Sequence, residues 1–393
     1  MLCQEIELDS IITDIAAGPF GSNLKVSSFV PVGFPIIDGA NLKGYKVTDN
    51  ITKFVTEEKA RSLYRSIAKR NDVIVTISGT LGQIAYIPED SQFQEYLCSQ
   101  RQFRVTFDTS KVYVPYLVFY FHTYEGQNKI LSFANQTGVP ALSQPLKNFK
   151  KICLQLPELK IQRSIAYYIE ILNKKINLNV VINKKLSEIL QQHYQQYFYN
   201  GYIYTEKGSL SDISFYKKEK ISTTSISTKN YFSTVNLLPG KEGAIEASNL
   251  PATTQVTKCQ VGDVLISNIR PYFKKILYCM AECGCSADVL CFSPKKQELS
   301  AYLYSSLYSD SFFNFMVAGS KGTKMPRGDK HQIMTYPIYI PTENEINAFN
   351  MLALPILNQI ENIRRENIRL SSLRATLLPK LMSGEIDVSD IAL

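Results

Sequence analysis

The sequence predicts an α+β protein in which two similar mixed α/β domains alternate with two long helices that pair as an antiparallel coiled coil. Three observations support this fold class. The 393 residues exceed one ordinary domain, an internal repeat has a period near half the chain, and a heptad pattern closes each half. Together they indicate a pseudo-two-fold internal repeat.

The repeat is clearest at one apolar run in each half. Residues 71–78 (NDVIVTIS) and 262–269 (GDVLISNI) each begin with a turn residue, followed by Asp and then by the apolar run. A short apolar run that is entered through a turn is typical of a buried strand. We therefore expect the same strand in both domains.

The end of each domain repeats as well. Residues 137–140 (TGVP) correspond to residues 322–326 (GTKMP), and each segment is followed by a predicted strand ending at Pro157 or Pro341. Short helices are expected inside the two domains, over residues 116–124 and 301–318.

A long helix is predicted after each of these prolines, because apolar or tolerated residues recur at alternating steps of four and three. A shift of 184 residues (367 minus 183) aligns the two patterns, so that Asn183 corresponds to Asn367 and Ile176 to Ile360. One such stripe could be an ordinary core helix, but two matched copies favour a helix pair. Pro355 predicts a kink in the second helix or a later start. The first pattern comprises Ile165, Ile169, Leu172, Ile176, Asn179, Asn183, Leu186, Leu190, His193 and Tyr197, and the second comprises Phe349, Ala353, Ile356, Ile360, Ile363, Asn367, Leu370, Arg374, Leu377 and Leu381.

These features divide the chain into four segments. We predict a first globular domain over residues 1–157, a central helix over 158–202, a second globular domain over 203–341, and a C-terminal helix and tail over 342–393.

Charge and composition permit a nucleic-acid partner without requiring one, since the net charge is +8 and the pI is about 8.9. The N-terminus lacks the pattern of a signal peptide, and no apolar run approaches the ~20 residues of a membrane span. Eight cysteines without an export signal indicate reduced thiols. We expect a cytoplasmic protein without membrane contact.

The sequence lacks the motifs of an enzyme. No glycine-rich run has phosphate-loop spacing, and the three histidines lack metal-ligand spacing. Four cysteines at 279, 283, 285 and 291 could hold zinc, but the usual pairs separated by two residues are absent, and their apolar neighbours favour buried structural thiols. We predict that this chain has no catalytic residue and binds no metal or cofactor.

Several stretches resemble a known family. Residues 372–386 (SLRATLLPKLMSGEI) closely resemble the ending of type I restriction–modification specificity subunits. The opening is similar to that family's first target-recognition domain at residues 14–15 (DI), 18–22 (GPFGS), 35–37 (PII) and 72–82 (DVIVTISGTLG). Residues 322–326 are similar to the end of such a domain. The first helix departs from the pattern because it lacks the LPKL ending.

The resemblance implies a division of labour between subunits. Each domain would read one half of a split double-stranded DNA target, while the helices would set the spacing and dock the partners. Two methyltransferase subunits would bring S-adenosylmethionine, and motor–nuclease subunits would use ATP and Mg²⁺. Two alternatives are a specificity subunit of a methylation-only system and a coiled-coil interaction protein without a DNA role.

Candidate DNA contacts are polar and basic residues in loops, because such side chains can bind base edges and phosphates. The loop from 320 to 330 is the strongest candidate for gripping phosphates, because it combines four basic residues with Gly, Thr and Pro. In the first domain the candidates are Lys25, Ser78, Thr80, Gln83, Gln100, Arg101, Gln136 and Thr137, and in the second they are Asn268, Arg270, Tyr272, Lys274, Lys275, Lys321, Lys324, Arg327 and Lys330.

Overall fold

The computed structural model describes residues 3–21, 23–135, 139–198 and 207–388. The chain forms two compact units. The first contains residues 1–172 and 373–393, and the second contains residues 173–372. Each long helix therefore contributes residues to both units.

The first unit combines thirteen described strands with four short helices. The strands are β1 (Cys3–Glu7), β2 (Ile12–Ala17), β3 (Phe29–Val30), β4 (Phe34–Ile37), β5 (Phe54–Val55), β6 (Ile67–Lys69), β7 (Val73–Thr76), β8 (Ile84–Tyr86), β9 (Glu95–Cys98), β10 (Gln102–Phe107), β11 (Ala134–Asn135), β12 (Ala141–Leu142) and β13 (Cys153–Pro157). The helices are α1 (Glu57–Ser62), α2 (Val114–Phe121), α3 (Tyr124–Leu131) and α4 (Pro145–Lys150), and the first long helix, α5 (Leu159–Phe198), follows them.

The second unit also combines short strands and short helices with a long helix. Its described strands are β14 (Lys207–Ser209), β15 (Ser214–Tyr216), β16 (Lys220–Ser222), β17 (Tyr231–Phe232), β18 (Gln255–Cys259), β19 (Val264–Ser267), β20 (Ile276–Tyr278), β21 (Cys283–Cys285), β22 (Val289–Pro294) and β23 (Pro337–Tyr339). Its helices are α6 (Leu210–Ile213), α7 (Ser300–Tyr308), α8 (Asp310–Ala318) and α9 (Lys330–Met334), and the second long helix is α10 (Glu343–Ser383).

The two units contain the same antiparallel four-stranded sheet. Its strand order is β2-β10-β7-β8 in the first unit and β15-β22-β19-β20 in the second. A two-stranded sheet in each unit, β1-β13 or β14-β23, joins the unit's first strand to the strand before its long helix. The predicted internal repeat and the α+β fold class are therefore confirmed.

The repeated strand is entered in the same way in both units. Asn71 (φ 69°) and Gly262 (φ 91°) lie in the left-handed region, which a turn into the strand requires. The buried Asp72 that follows accepts hydrogen bonds from the backbone N–H of Lys69 (2.9 Å) and from the hydroxyl of Thr106 (2.6 Å). Burial raises the pKa of Asp72.

Asp263 repeats this arrangement in the second unit. Its carboxylate accepts from the backbone N–H of Gln260 (2.7 Å) and from the hydroxyl of Ser293 (2.6 Å). The shared pattern of turn, Asp and apolar run thus satisfies a buried carboxylate with the same two kinds of donor in both units.

The long helices carry the predicted apolar stripes. In the first unit Ile165 and Ile169 of α5 and Leu381 of α10 join one buried cluster. In the second unit Leu190 of α5 joins another buried cluster with Phe349 of α10. Burial of these positions confirms the heptad pattern.

Pro355 does not delay the start of the second helix. Helix α10 begins at Glu343 and continues through Pro355 to Ser383, so the prediction of a later start is wrong. The proline ring is exposed, whereas Ile356 and Leu357 are buried. Proline has no backbone N–H, so the carbonyl of Met351 loses its helical hydrogen bond. Packing of the apolar face beside Pro355 offsets the free energy of that loss.

Candidate nucleic-acid interface

The first unit carries a surface of three segments at one end of its four-stranded sheet, where β2 and β7 end and where β8 and β10 begin. We call residues 78–82, 99–101 and 139–141 the first loop surface. The N–H of Ile77 donates to the carbonyl of Arg101 (2.7 Å), and the N–H of Gly79 donates to that of Pro140 (3.0 Å). Ser78 and Ala141 form a backbone bridge. The segment after β7 is thereby held between the other two.

The second unit carries the same framework, built from residues 268–275, 286–288 and 321–327, which we call the second loop surface. The N–H of Asn268 donates to the carbonyl of Asp288 (2.8 Å), and the N–H of Arg270 donates to that of Pro326 (2.8 Å). Ile269 and Arg327 form the bridge that corresponds to Ser78 and Ala141. The predicted correspondence between the two proline-containing segments is confirmed.

The backbone also has the same left-handed conformation after the repeated strand in both units. Gly79 has φ 95°, and Arg270, its counterpart, has φ 51°. A left-handed φ costs little at glycine and more at an arginine. Arg270 is held in that conformation by the bond to Pro326 and by its own guanidinium, which donates to the carbonyl of Lys324 (3.4 Å).

The segment from 321 to 327 is a loop closed by paired backbone hydrogen bonds. Lys321 and Arg327 each donate an N–H to the other's carbonyl at 2.9 Å. Residues 321–325 are all exposed. The ammonium of Lys321 pairs with Asp329 at 2.7 Å, and this ion pair lowers the pKa of Asp329 to about 2, with help from the backbone N–H groups at the start of α9. Lys324 lies at the exposed part of the loop.

The structure brings most of the predicted DNA contacts onto these two surfaces. Ser78, Thr80, Gln100 and Arg101 lie on the first, and Arg270, Tyr272, Lys321, Lys324 and Arg327 lie on the second. Lys25 lies in the exposed segment before β3, and Lys330 is the first residue of α9. Gln136 and Thr137 lie outside the described residues.

Three further candidates have partners within the protein, and a fourth, Asn268, is buried. Gln83 donates to the carbonyl of Gly39 (3.0 Å), and Lys274 pairs with Asp310 (2.9 Å). Lys275 donates to the carbonyl of Thr234 (2.5 Å), and burial lowers its pKa. The side chain of Asn268 is buried, and its Oδ1 has no hydrogen-bond partner among the described residues. These four would have to change partners or conformation to contact DNA.

Asp288 is a residue of the second loop surface that the sequence did not single out. Its carboxylate accepts a hydrogen bond from the guanidinium of Arg327 at 2.9 Å. Asp288 was not among the candidates because these were chosen as side chains that can bind base edges and phosphates, and its carboxylate is acidic. The repeat could have identified it, because Asp288 stands where the first unit has Arg101.

The cysteines at 279, 283, 285 and 291 are buried in one apolar cluster together with Cys259. Among the residues that the structure describes, no group of three or more His, Cys, Asp and Glu side chains is arranged to hold a metal ion. Within the same residues, no helix combines the length and apolar character needed to span a membrane.

A comparison with protein families bears on the first of these two surfaces. Residues 34–191 match the type I restriction modification DNA specificity domain. The match covers 158 of the 393 residues, all of them in the first half of the chain. The matched region includes all three segments of the first loop surface and strands β7, β8 and β10, but not β2.

One solved structure with a TM-score above 0.5 shares the fold of this chain along nearly its full length. A type I restriction–modification S subunit from M. genitalium is 14% identical, with 97% of this chain and 96% of that chain covered and a TM-score of 0.58. The HsdS subunit from Thermoanaerobacter tengcongensis is also 14% identical, with 98% and 97% covered and a TM-score of 0.38. No curated protein matches the sequence.

Proposed function

We propose that this chain is the DNA specificity subunit of a type I restriction–modification system and reads a bipartite DNA site, with one half bound by each loop surface. One observation carries the proposal: the two units repeat the same backbone framework but present different side chains on it. A framework held by backbone hydrogen bonds can keep its position while the side chains change, and base recognition depends on those side chains. Two different half-sites are the expected result.

We further propose that the long helices set the gap between the half-sites and dock two methyltransferase subunits. In the second unit, α5 exposes Leu178, Val181 and Ile189, each 46–55% accessible. Exposed apolar side chains along one helix are typical of a docking surface for another protein. Motor–nuclease subunits would complete a restricting complex, and a methylation-only system would use the same specificity subunit without them.

In this proposal the partners bind the cofactors. The methyltransferase subunits would bind S-adenosylmethionine, and the motor–nuclease subunits would bind ATP and Mg²⁺. The assembly would work in the cytoplasm, which suits the free thiols of the seven cysteines whose side chains are described.

Selection from random double-stranded DNA tests the bipartite site. The assembled methyltransferase should enrich two short fixed half-sites separated by a constant number of unread bases. Enrichment of one continuous site, or of none, would contradict the proposal. The isolated chain, incubated with DNA, S-adenosylmethionine, ATP and Mg²⁺, should neither methylate nor cleave. Activity that persists after removal of trace partners would refute the division of labour.

A further inference from the structure

The ion pair between Arg327 and Asp288 lies on the second loop surface, where backbone contacts fix both residues. Asp288 is held through its carbonyl by the N–H of Asn268, and Arg327 is bridged to Ile269 and bonded in both directions to Lys321. The guanidinium and the carboxylate meet at 2.9 Å while their side chains stay 55% and 45% exposed. A ligand on this surface can therefore reach both.

An exposed ion pair of this kind stabilises a fold very little. It does restrict the guanidinium, because Nη2 is committed to the carboxylate. A guanidinium has five N–H donors in a rigid plane and can bind the O6 and N7 atoms of guanine with two of them. A neighbouring carboxylate can hold that plane in one orientation and disfavours a shift towards a phosphate, because it repels the phosphate charge.

We propose that Asp288 is a specificity-determining positioning residue, which orients Arg327 to read one guanine in the half-site bound by the second unit. The inference rests on the proposed function and adds a residue and a base to it. Asp288 acts through Arg327, which makes the contact with the base.

Comparison of the two units supports this assignment. The first unit has Ala141 at the bridge position of Arg327, and it has Arg101 at the place of Asp288. The backbone framework is the same, yet the guanidinium comes from the opposite segment and no carboxylate occupies the facing position. At these two positions the charge of the side chain differs between the units, while the backbone framework is the same. The two units should therefore read different bases.

The test measures methylation of a DNA library randomised across the second half-site, with the assembled methyltransferase as the enzyme. Arg327→Lys keeps the charge but loses the planar fork. It should reduce the preference for one guanine by about 5- to 150-fold, which corresponds to the ~1–3 kcal/mol of a bidentate contact. Asp288→Asn keeps the size but loses the charge, and it should relax the same position by roughly 3- to 10-fold. Preference at the first half-site should stay unchanged in both variants.

Asp288→Glu and Lys324→Ala serve as controls. Asp288→Glu should restore most of the guanine preference, which a purely structural role in the loop would not require. Lys324→Ala should weaken methylation of all sequences alike, as expected for a phosphate contact. Equal melting temperatures of the variants would show that the second unit remains folded.

Three outcomes would overturn the inference. Arg327→Lys could lower methylation of every sequence equally, which would make Arg327 a phosphate contact. Asp288→Asn could leave the base preference intact, which would make the ion pair an ordinary surface pair. The relaxed position could differ between the two variants. Failure of the proposed function is distinct, because the unmodified complex would then show no bipartite preference at all.

Discussion

Asn183 and Asn367 make the same hydrogen bond in opposite directions across the helix pair. The side-chain amide of Asn183 donates to the carbonyl of Ile360 at 3.1 Å, and that of Asn367 donates to the carbonyl of Ile176 at 3.3 Å. Both partners are related by the 184-residue shift, and the contacts run antiparallel within the second unit. The pseudo-two-fold repeat therefore extends to individual hydrogen bonds.

The two asparagines differ in how well their carbonyl oxygens are satisfied. Oδ1 of Asn367 accepts from Asn179 at 2.8 Å, whereas the buried Oδ1 of Asn183 has no hydrogen-bond partner among the described residues. A buried unpaired acceptor costs about 1–3 kcal/mol. We predict that Asn183→Leu raises the melting temperature of the second unit, while Asn367→Leu does not, because it leaves Asn179 with one partner fewer.

Thermal unfolding of the two single variants measures this difference. Asn179→Leu is the matched control on the same face of α5, and it should destabilise because Asn179 also donates to Glu366 at 2.7 Å. Equal shifts for Asn183→Leu and Asn367→Leu would mean that the unpaired oxygen carries no cost. The double variant should also lose its fixed register, which distances between spin labels on the two helices would report.

The exposed loop from 321 to 327 should supply phosphate contacts. Each lysine that neutralises one phosphate contributes ~0.9 to the slope of log affinity against log salt concentration. Changing Lys321 and Lys324 together to Ala should reduce that slope by up to about 1.8 and weaken binding to all sequences. Titration of the assembled methyltransferase with DNA at several salt concentrations gives the slope.

Lys295 and Lys296 provide the matched control for this loop, because they are exposed and follow the opposite end of β22. Their change to Ala removes the same charge and should leave the slope nearly unchanged. An equal loss of slope in both pairs would indicate a diffuse electrostatic effect rather than a contact by the loop.

We predict that His122 makes the stability of the first unit depend on pH. Burial lowers its pKa below the usual 6.5, and the charge of Arg374 adds to the effect. Its Nε2 lies 2.8 Å from the carbonyl of Ile84, an arrangement that suits a neutral ring donating Nε2–H. As the pH falls below 6.5, His122 becomes protonated in the unfolded chain but stays neutral in the folded unit. The free energy of unfolding therefore decreases, by at most ~1.4 kcal/mol per pH unit.

Urea unfolding at pH 7.0 and at pH 5.5 tests the role of His122. His122→Gln keeps an N–H donor but does not titrate, so the first unit should lose less stability over this interval. His331→Gln, at an exposed position of α9, is the control and should behave like the unmodified chain. A pH dependence that His122→Gln leaves unaltered would assign the effect to other groups.

Local patterns predicted much of this fold. The turn–Asp–strand pattern located β7 and β19, and the shared heptad register located both long helices. Pro355 misled because local propensity takes no account of the buried face beside it. The partner of Asn367 also went unforeseen, since side-chain pairs across a helix interface depend on rotamers that a register does not specify.

The candidate site was predictable in outline only. The structure places nine of the predicted basic, amide, hydroxyl and aromatic residues on the two loop surfaces, and their contact with DNA stays a prediction. Partners within the protein were not predictable, so Lys275 and Gln83 turned out to be engaged with backbone carbonyls. Asp288 was missed because its role depends on contact with Arg327, which lies 39 residues away in sequence.

Sequencing of methylated bases in a host genome tests the central claim most directly. The host should carry the methyltransferase gene with and without the gene for this chain. We predict methylated adenines within one bipartite motif, one on each strand, only when the chain is present. The same methylated positions in both strains, or none in either while the methyltransferase complex is assembled, would contradict the account.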